Sequence, residues 1–340
     1  MRECSWVGRI ALLGSACLIA AGQGLNSSAS ELPEYIPRQQ VSGVIRIWGH
    51  GSRNHDFVSG LMHSWEEGFR RYQPGVTFST ELFGNASAIG GLYTGAADIA
   101  FMGREIWAIE KDGYEQGMGY PPFGLSVANG RVANPNHDFA LVIFVHHDNP
   151  LSKLSLVQLD AIFGADHKRG PNNIRSWGDI GLTGEWADHP IHLYGYGIDR
   201  DFSQFFETAV FAGSRKWNCG LHEFADGQQI LDALAKDRYG IAFSTLAGKN
   251  AMVKPVALSS APKAEPYFAS EQSIIAGRYA LARTPYMFVN HPPRQGMDPK
   301  IKEFLLYVLS RQGQQAVVGD GGYLPLSSEA AQKQRDRLLQ

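Results

Sequence analysis

Residues 76–102 (VTFSTELFGNASAIGGLYTGAADIAFM) decide the fold class of this chain. Val76–Leu82 is predicted to form a strand, and Phe83–Ser87 is a glycine-bearing turn. A helix over Ala88–Thr94 and a second strand at Asp98–Met102 follow. Strand, turn, helix and strand in this order are typical of α/β proteins whose sheets are mainly parallel.

The same order of elements recurs on both sides of this stretch. Upstream, the apolar strand Val44–Trp48 runs into the turn Gly49–Ser52, and a helix follows. The apolar residues of that helix recur at helical spacing, at Phe57, Leu61, Trp65 and Phe69. Downstream, Ala140–His146 predicts a buried strand, and Ser155 can cap a helix over Leu156–Phe163.

The rest of the chain continues this alternation, with residues 254–274 predicted to be a loop. Further strands are predicted at residues 191–194, 239–244, 279–281 and 286–290. Further helices are predicted over residues 202–210, 227–237 and 299–310.

Length and composition exclude several classes of protein. The chain has 340 residues, which suggests two domains of roughly 100–200 residues each. Hydrophobic residues make up 44% and charged residues 19%, a globular mixture that argues against disorder. The net charge is −2, so the chain has no basic field with which to bind nucleic acid.

The N-terminus is typical of a secretory signal peptide. Arg2 and Arg9 are basic, the apolar run Ile10–Ala21 follows, and small residues come after it. The apolar run is shorter than the roughly 20 residues that a membrane-spanning helix needs. We therefore predict a signal peptide over residues 1–25, export to the periplasm, and a flexible lead over residues 26–42. A buried N-terminal helix is the alternative.

The cysteines do not form a disulfide framework. Cys4 and Cys17 lie in the predicted signal peptide, so only Cys219 remains after cleavage, and it is predicted to be a buried or inert thiol. Cys17 as a lipid-modified cysteine is disfavoured, because Gly14–Ala16 lacks the upstream leucine expected there.

The glycine turns are the candidate functional features. Helix N-termini at the carboxyl ends of strands present unpaired N–H groups and attract anions. Three such turns each have a serine at or beside them: Gly49–Arg53 with Ser52, Gly84–Ser87 with Ser87, and Gly195–Ser203 with Ser203. Arg104 and Arg200 lie beside turns of this kind. The alternative is that each is an ordinary βα turn.

No catalytic or cofactor motif is present. The sequence contains no HExxH, CxxC, GxSxG or GxxxxGK[ST] pattern. His146 and His147 look like a metal pair, but adjacent residues of a strand point to opposite faces. We therefore predict no catalytic residues, no metal and no cofactor.

Five segments resemble, in the correct order, the phosphate-type periplasmic substrate-binding proteins of ABC transporters. The most specific is residues 83–106, where the family pattern includes L-x-x-G-x-A-D-I-A and this chain reads LYTGAADIA. The other four are residues 191–206, 229–244, 279–289 and 304–326. The likeness spans about residues 44–326.

The resemblance implies a periplasmic-binding-protein fold of type II. Each of two lobes is then a mainly parallel sheet flanked by helices, two strands cross between the lobes, and the ligand binds in the cleft. Residues 43–143 and 276–335 would form lobe I, and residues 144–275 would form lobe II. The crossings would lie in Ala140–Val145 and Tyr279–Val289.

The resemblance also implies ligand-binding residues in lobe I. Family members hold phosphate with backbone N–H groups, hydroxyls, an arginine and often an acid. Ser87 matches the serine of the first helix turn, and Ser52, or less surely Arg53, matches the first glycine loop. Arg104 matches the arginine of an S-R pair whose serine is replaced here by Gly103.

The corresponding loop of lobe II departs from the family pattern Y-G-R-x-x-x-S-G-T. Tyr196 takes the place of the arginine, and Arg200, Asp201 and Phe202 take the places of S-G-T. Arg200 can replace the missing arginine, because its fork suits an oxyanion. Asp201 can accept a proton from hydrogenphosphate, repel anions or pair with Arg200. Ser203 completes the predicted site.

We therefore expect an exported, monomeric receptor that delivers phosphate or a similar small oxyanion to an ABC permease in the inner membrane. The alternative is an envelope binding or sensor protein of the same fold, with a changed ligand and no transport role. An enzyme such as a phosphatase is disfavoured, because no nucleophile–base pair is visible.

Overall fold

The computed structural model describes residues 29–51, 57–132 and 139–340, and the predicted signal peptide lies outside them. The strands are β1 Ser42–Gly49, β2 Gly75–Leu82, β3 Ile99–Met102, β4 Phe123–Ser126, β5 Asn129–Gly130, β6 Val142–His146, β7 Lys153–Ser155, β8 His192–Tyr196, β9 Leu221–Phe224, β10 Gly240–Ser244, β11 Val253–Pro255, β12 Ala257–Ser259, β13 Tyr286–Val289 and β14 Tyr323–Leu324. The α-helices are α1 Phe57–Arg70, α2 Asn85–Tyr93, α3 Ala108–Met118, α4 Leu156–Phe163, α5 Asp201–Val210, α6 Gly227–Leu234, α7 Glu271–Ile275, α8 Pro299–Val308, α9 Arg311–Asp320 and α10 Ser328–Leu339.

Two five-stranded sheets organise the molecule. The first, with the order β2-β1-β3-β13-β4, is the centre of lobe I, and the second, β11-β6-β10-β8-β9, is the centre of lobe II. In lobe I only β13 is antiparallel to its neighbours, and in lobe II only β6 is. Four strands of each sheet therefore share one direction, which confirms the predicted α/β class with mainly parallel sheets. The predicted domain boundaries stay a prediction.

The segments that precede the two antiparallel strands run side by side between the sheets. The N–H of Leu141 donates to the carbonyl of Leu281 over 2.8 Å, and the N–H of Arg283 donates to that of Phe139 over 2.8 Å. We call this pair of segments the crossing. Residues 279–281, predicted as a strand, do not form one, because the two segments are bridged only where Ala140 pairs with Ala282.

Each lobe has its own apolar core. In α1 the side chains of Leu61, Trp65 and Phe69 are fully buried, as their helical spacing predicts. In lobe II the rings of Phe206 and Phe243 stack with centres 4.5 Å apart. Because each sheet is covered by its own helices, the strand ends between the lobes remain free to form a site.

The N-terminal lead is packed on lobe I. Tyr35 is buried, its hydroxyl donates to Glu303 over 2.6 Å, and its N–H donates to Gln312 Oε1 over 2.9 Å. Burial and the hydrogen bond to Glu303 raise the pKa of the Tyr35 hydroxyl. The predicted flexibility of residues 26–42 is therefore wrong around Tyr35, because an aromatic anchor offsets the polar composition of the segment.

Two further sequence predictions need correction. Residues 254–274, predicted as a loop, contain β12, the end of β11 and the start of α7, since β12 finds a parallel partner in the distant strand β7. Cys219 is exposed rather than buried. In the part of the chain that the structure describes, no helix combines the length and apolarity that crossing a membrane requires.

Candidate functional site

Three turns of lobe I meet at the carboxyl ends of β1, β2 and β3. The N–H of Gly84 donates to the carbonyl of Gly49 over 3.1 Å, and the N–H of Gly103 donates to Asn85 Oδ1 over 2.9 Å. The imidazole of His50 lies so close that a Cβ atom on Gly103 would be 2.6 Å from it. A side chain at residue 103 is therefore excluded by the imidazole ring.

The N-terminus of α2 lies in this group of turns and has no side-chain cap. Gly84, the preceding residue, has a φ of 99°, a conformation that favours glycine, and it makes no side-chain cap bond. The first turn contains no acidic residue. The Ser87 hydroxyl donates to the Gly84 carbonyl over 2.8 Å, so it must rotate to donate to a ligand. The first N–H groups of α2 therefore have no charged partner from their own turn.

The N-terminus of α5 lies across from it in lobe II. Arg200 precedes the helix, is exposed and makes no side-chain cap bond, and it forms no ion pair with any described residue. Asp201 is the first helical residue. Ser203 is fully buried, and its hydroxyl donates to the carbonyl of Tyr196 over 3.0 Å. The structure therefore places Ser203 beneath the turn and not on its surface.

The absence of caps distinguishes α2 and α5 from most other helices. Six helices have an N-terminal N–H group bound by the side chain of the preceding residue, namely α4, α6, α7, α8, α9 and α10. Such caps satisfy N–H groups that otherwise need another acceptor. The two uncapped N-termini at the interlobe strand ends can therefore offer donors to an anion.

Arg104 is buried and already paired with acids. Its Nη1 and Nη2 donate to the two carboxylate oxygens of Glu110 over 2.8 and 2.7 Å. Its Nε lies 3.4 Å from Asp201 Oδ1. Its guanidinium also lies over the ring of Trp107, 3.8 Å from the ring centre. All three nitrogens of this side chain thus contact a carboxylate.

Arg283, in the crossing, is a second buried cation. Its Nη1 donates to Asp201 Oδ2, and its Nη2 donates to the Asp201 carbonyl over 2.7 Å. The guanidinium lies 4.6 Å from the ring centre of Phe202. Sequence reasoning did not select Arg283, although it lies in residues 279–289, one of the segments that carry the family resemblance.

A third acid completes this group of charges. Glu105 follows Arg104, and its Oε1 accepts the N–H of Thr284 over 3.2 Å. Burial raises the pKa of the Glu105 carboxyl, because the charged form loses its hydration, and Arg283 and Arg104 offset only part of this. The group therefore contains two guanidiniums and three carboxyl groups, an unusual balance for a surface that receives an anion.

Tyr196 does not replace the missing arginine of the lobe II loop. Its ring packs against Phe202 with centres 5.1 Å apart, and its hydroxyl lies at the start of α6. A Cβ atom on Gly227 would be 2.6 Å from that hydroxyl and 2.8 Å from Ser244 Oγ. Tyr196 thus supplies packing and a hydroxyl at the position where the family pattern has an arginine.

The structure brings some of the predicted site residues together and does not describe others. Ser52 and Arg53 lie outside the described residues. Arg104 and Asp201 are brought together, and Asp201 pairs with Arg104 and Arg283 instead of Arg200. Contacts from Asn85 through Gly103 and Arg104 to Asp201 connect the N-termini of α2 and α5. The role of each residue in binding stays a prediction.

The reason given against a metal pair at His146 and His147 is wrong. β6 ends at His146, so the chain turns there, and the two rings lie with centres 4.5 Å apart. Ligand atoms of His146, His147 and Asp148 lie within 4.8 Å of one another. Asp148 is also 3.2 Å from Arg238 Nε, so an internal cation already balances its charge.

Comparison with known proteins gives a consistent result. A family model described as a PBP superfamily domain matches residues 54–312. The phosphate-binding protein PstS of Pseudomonas aeruginosa is 34% identical over 328 residues, which cover 95% of this chain and 96% of that protein.

Two solved structures have the same fold. An ABC-type phosphate transport receptor from Vibrio cholerae has a TM-score of 0.51 and 19% identity, with 82% of this chain and 99% of that chain covered. PstS from Borrelia burgdorferi has a TM-score of 0.57 and 14% identity, with 84% of this chain and all of that chain (100%) covered. At these identities the structures bear on the fold alone.

Proposed function

The chain belongs to the PBP superfamily, and we propose that it is an exported receptor that captures phosphate, or a similar small oxyanion, between its lobes and delivers it to an ABC permease. It is homologous over almost its whole length to a phosphate-binding protein, PstS of Pseudomonas aeruginosa. Binding would draw the lobes together around the ligand, as hinge closure does in proteins of this architecture.

One structural observation carries this proposal. The N-terminus of α2 is uncapped and free of acid, and contacts from Asn85 through Gly103 and Arg104 to Asp201 connect it with the uncapped N-terminus of α5. Backbone N–H groups and the helix dipole at such ends favour a small anion without any metal. Ser87 and the exposed Arg200 are the side chains that we propose to add donors, the latter from lobe II.

Cellular location and activity follow from the same proposal. Residues 1–25 would direct export and be removed, and the mature protein would act in the periplasm as a monomer. Homology to a binding protein favours binding over catalysis. We propose that the protein is not an enzyme and that its partners are the oxyanion and an inner-membrane permease.

Calorimetric titration of the mature protein, stripped of bound anion, tests the proposal. Phosphate should bind with micromolar or tighter affinity, and sulfate should be rejected, with arsenate as a geometric control. If none of the three anions binds, phosphate capture is excluded as the function of this protein. Turnover of a chromogenic phosphomonoester would contradict the proposal that the protein is not an enzyme.

A second candidate function is binding of a different ligand by the same cleft, without transport. The observation that favours it is the pairing of both buried arginines with carboxylates of the chain itself. A cleft so balanced in charge suits a ligand that is less charged than phosphate. Screening of neutral and singly charged solutes by thermal shift separates the two candidates.

A further inference from the structure

The carboxylate of Asp201 occupies the place of an anion between two buried cations. Its Oδ2 accepts from Arg283 Nη1, and its Oδ1 lies 3.4 Å from Arg104 Nε. Both guanidiniums are almost completely buried. Charge-assisted contacts are the strong ones in proteins, and a carboxylate that faces one nitrogen from each of two guanidiniums takes a place that suits a bound oxyanion.

Carboxylates and carbonyls of the chain take most of the Arg104 donors and one hydrogen on each Nη of Arg283. The two Nη atoms of Arg104 are held by Glu110, and the Nη2 of Arg283 is held by the Asp201 carbonyl. The Nε of Arg283 is buried and has no hydrogen-bond partner among the described residues. An anion that binds Arg104 Nε and Arg283 Nη1 on the side that Asp201 now occupies must therefore displace the Asp201 carboxylate.

The same contacts connect the two lobes. Arg104 follows β3 of lobe I, Arg283 lies in the crossing, and Asp201 begins α5 of lobe II. The half-exposed position of the Asp201 side chain leaves it room to move away. Residue 201 also begins the helix whose N–H groups an incoming anion would approach, so carboxylate and ligand would repel each other there.

We propose that Asp201 is an internal anion that holds the lobes together in the empty protein and competes with the ligand for Arg104 and Arg283. This inference rests on the proposed function only for its effect on affinity. The effect on the empty protein is independent of any ligand. Asp201 thereby sets the affinity of the cleft below what the two arginines and the helix N-termini would otherwise give.

Asp201→Asn tests the proposal, with Asp199→Asn as the matched control. Asp199 lies in the loop just before α5, is exposed, and forms no ion pair with any described residue, so its replacement removes the same charge without the contact. The side chain of Asp201 is half-exposed, so its amide variant should fold. In small-angle scattering without ligand, Asp201→Asn should enlarge the radius of gyration, and Asp199→Asn should not. An unchanged radius for Asp201→Asn would overturn the proposal.

Phosphate titration supplies the second readout. Asp201→Asn should bind phosphate roughly tenfold more tightly, because a competing negative charge is gone, and Asp199→Asn should stay within about twofold of the wild type. Weaker phosphate binding by Asp201→Asn would mean that the carboxylate accepts a ligand proton, and would overturn the competition. If neither the wild type nor Asp201→Asn binds phosphate, but Asp201→Asn has the larger radius of gyration without ligand, the proposed function fails. The role of Asp201 in holding the lobes together is then still supported.

Discussion

The N-termini of α2 and α5 are connected by contacts from Asn85 to Asp201 and are built differently. Both follow a strand of a parallel set, both lack a side-chain cap, and both have a serine at the third helical position. Ser87 lies on the half-buried turn of α2, whereas Ser203 is fully buried under the turn of α5. Only α5 begins with an acid, Asp201, and that acid is held by cations from outside its own lobe.

This difference shows that a helix N-terminus is not by itself an anion site. The α2 end has no acid in its first turn to oppose an anion, so we propose that an anion is bound there first. The α5 end carries a carboxylate of its own, so it binds an anion only after that carboxylate has been moved or its charge balanced. We therefore expect substitutions of donors at α2 to weaken binding, and substitutions at α5 to weaken or strengthen it according to whether they remove a cation or the carboxylate.

The largest effect is expected at Gly103, which supports the α2 end through its bond to Asn85. In Gly103→Ser the new Cβ would meet the His50 ring at 2.6 Å, and that ring is packed against Phe101 with centres 5.1 Å apart. Such overpacking should lower the free energy of unfolding by about 2 kcal/mol in urea titrations. Gly113→Ser, in an α3 position with open space, is the control.

A second substitution decides whether this steric reading of Gly103 is correct. His50→Ala removes the ring and also its 2.6 Å contact with the Tyr323 hydroxyl, so the cost of Gly103→Ser is measured in the His50→Ala background and should be about half or less of its cost in the wild type. An equal cost in both backgrounds would mean that Gly103 matters through its backbone and not through the space taken by the imidazole.

Replacement of Arg200 tests how a side chain at the N-terminus of α5 changes the affinity for phosphate. It is the exposed cation of this turn, and Arg200→Ala should weaken phosphate binding by more than about 1.5 kcal/mol if its fork reaches the ligand. Lys263→Ala, which removes the same charge from an exposed position of the chain, should change the affinity far less. Equal affinities for both variants in calorimetry would remove Arg200 from the site.

The two serines give the most direct contrast between the helices. Ser87→Ala should weaken phosphate binding by about 1 kcal/mol, the typical net value of one hydrogen bond, with little change in stability. Ser203→Ala should do the opposite, because its hydroxyl is buried and donates to Tyr196: stability falls by about 1 kcal/mol and affinity is kept. The same loss of affinity in both would show that Ser203 becomes accessible in the bound state.

Local signals in the sequence predicted the framework well. Helix α4 has the predicted bounds, and it begins at Leu156 because Ser155 caps it through bonds with Gln158 that depend only on neighbouring residues. The apolar spacing of α1 likewise places Trp65 and Phe69 in the core. These features need no knowledge of distant parts of the chain.

Distant contacts explain what the sequence did not predict. Arg283 and Asp201 are 82 positions apart, and the residues next to each of them in the sequence do not predict the pairing. Tyr35 and Glu303 are 268 positions apart, so the polar composition of the lead does not reveal that the segment around Tyr35 is packed. The resemblance indicated where the cleft lies, but the charge balance inside it depends on which side chains the crossing brings together.

The smallest effect is expected at Glu105, the third acid of the charged group that includes Asp201 at the start of α5. Because burial raises the pKa of its carboxyl in the folded protein, the charged form is disfavoured there at neutral pH. The stability that the protonated carboxyl gives at low pH is lost as the pH rises through the raised value. Glu105→Gln should therefore raise the melting temperature at pH 7.

That gain should disappear at acidic pH, below the ordinary value of 4.5 for glutamate, where the wild-type carboxyl is protonated in both folded and unfolded states. The amide keeps an oxygen for the Thr284 N–H, so the bond itself is not what changes. Glu265→Gln, on an exposed carboxyl, should leave the melting temperature nearly unchanged at both pH values. A lower melting temperature of Glu105→Gln at pH 7 would mean that the charged carboxylate is needed by Arg104 and Arg283. The attraction between this carboxylate and the two arginines would then exceed the free-energy cost of burying its charge.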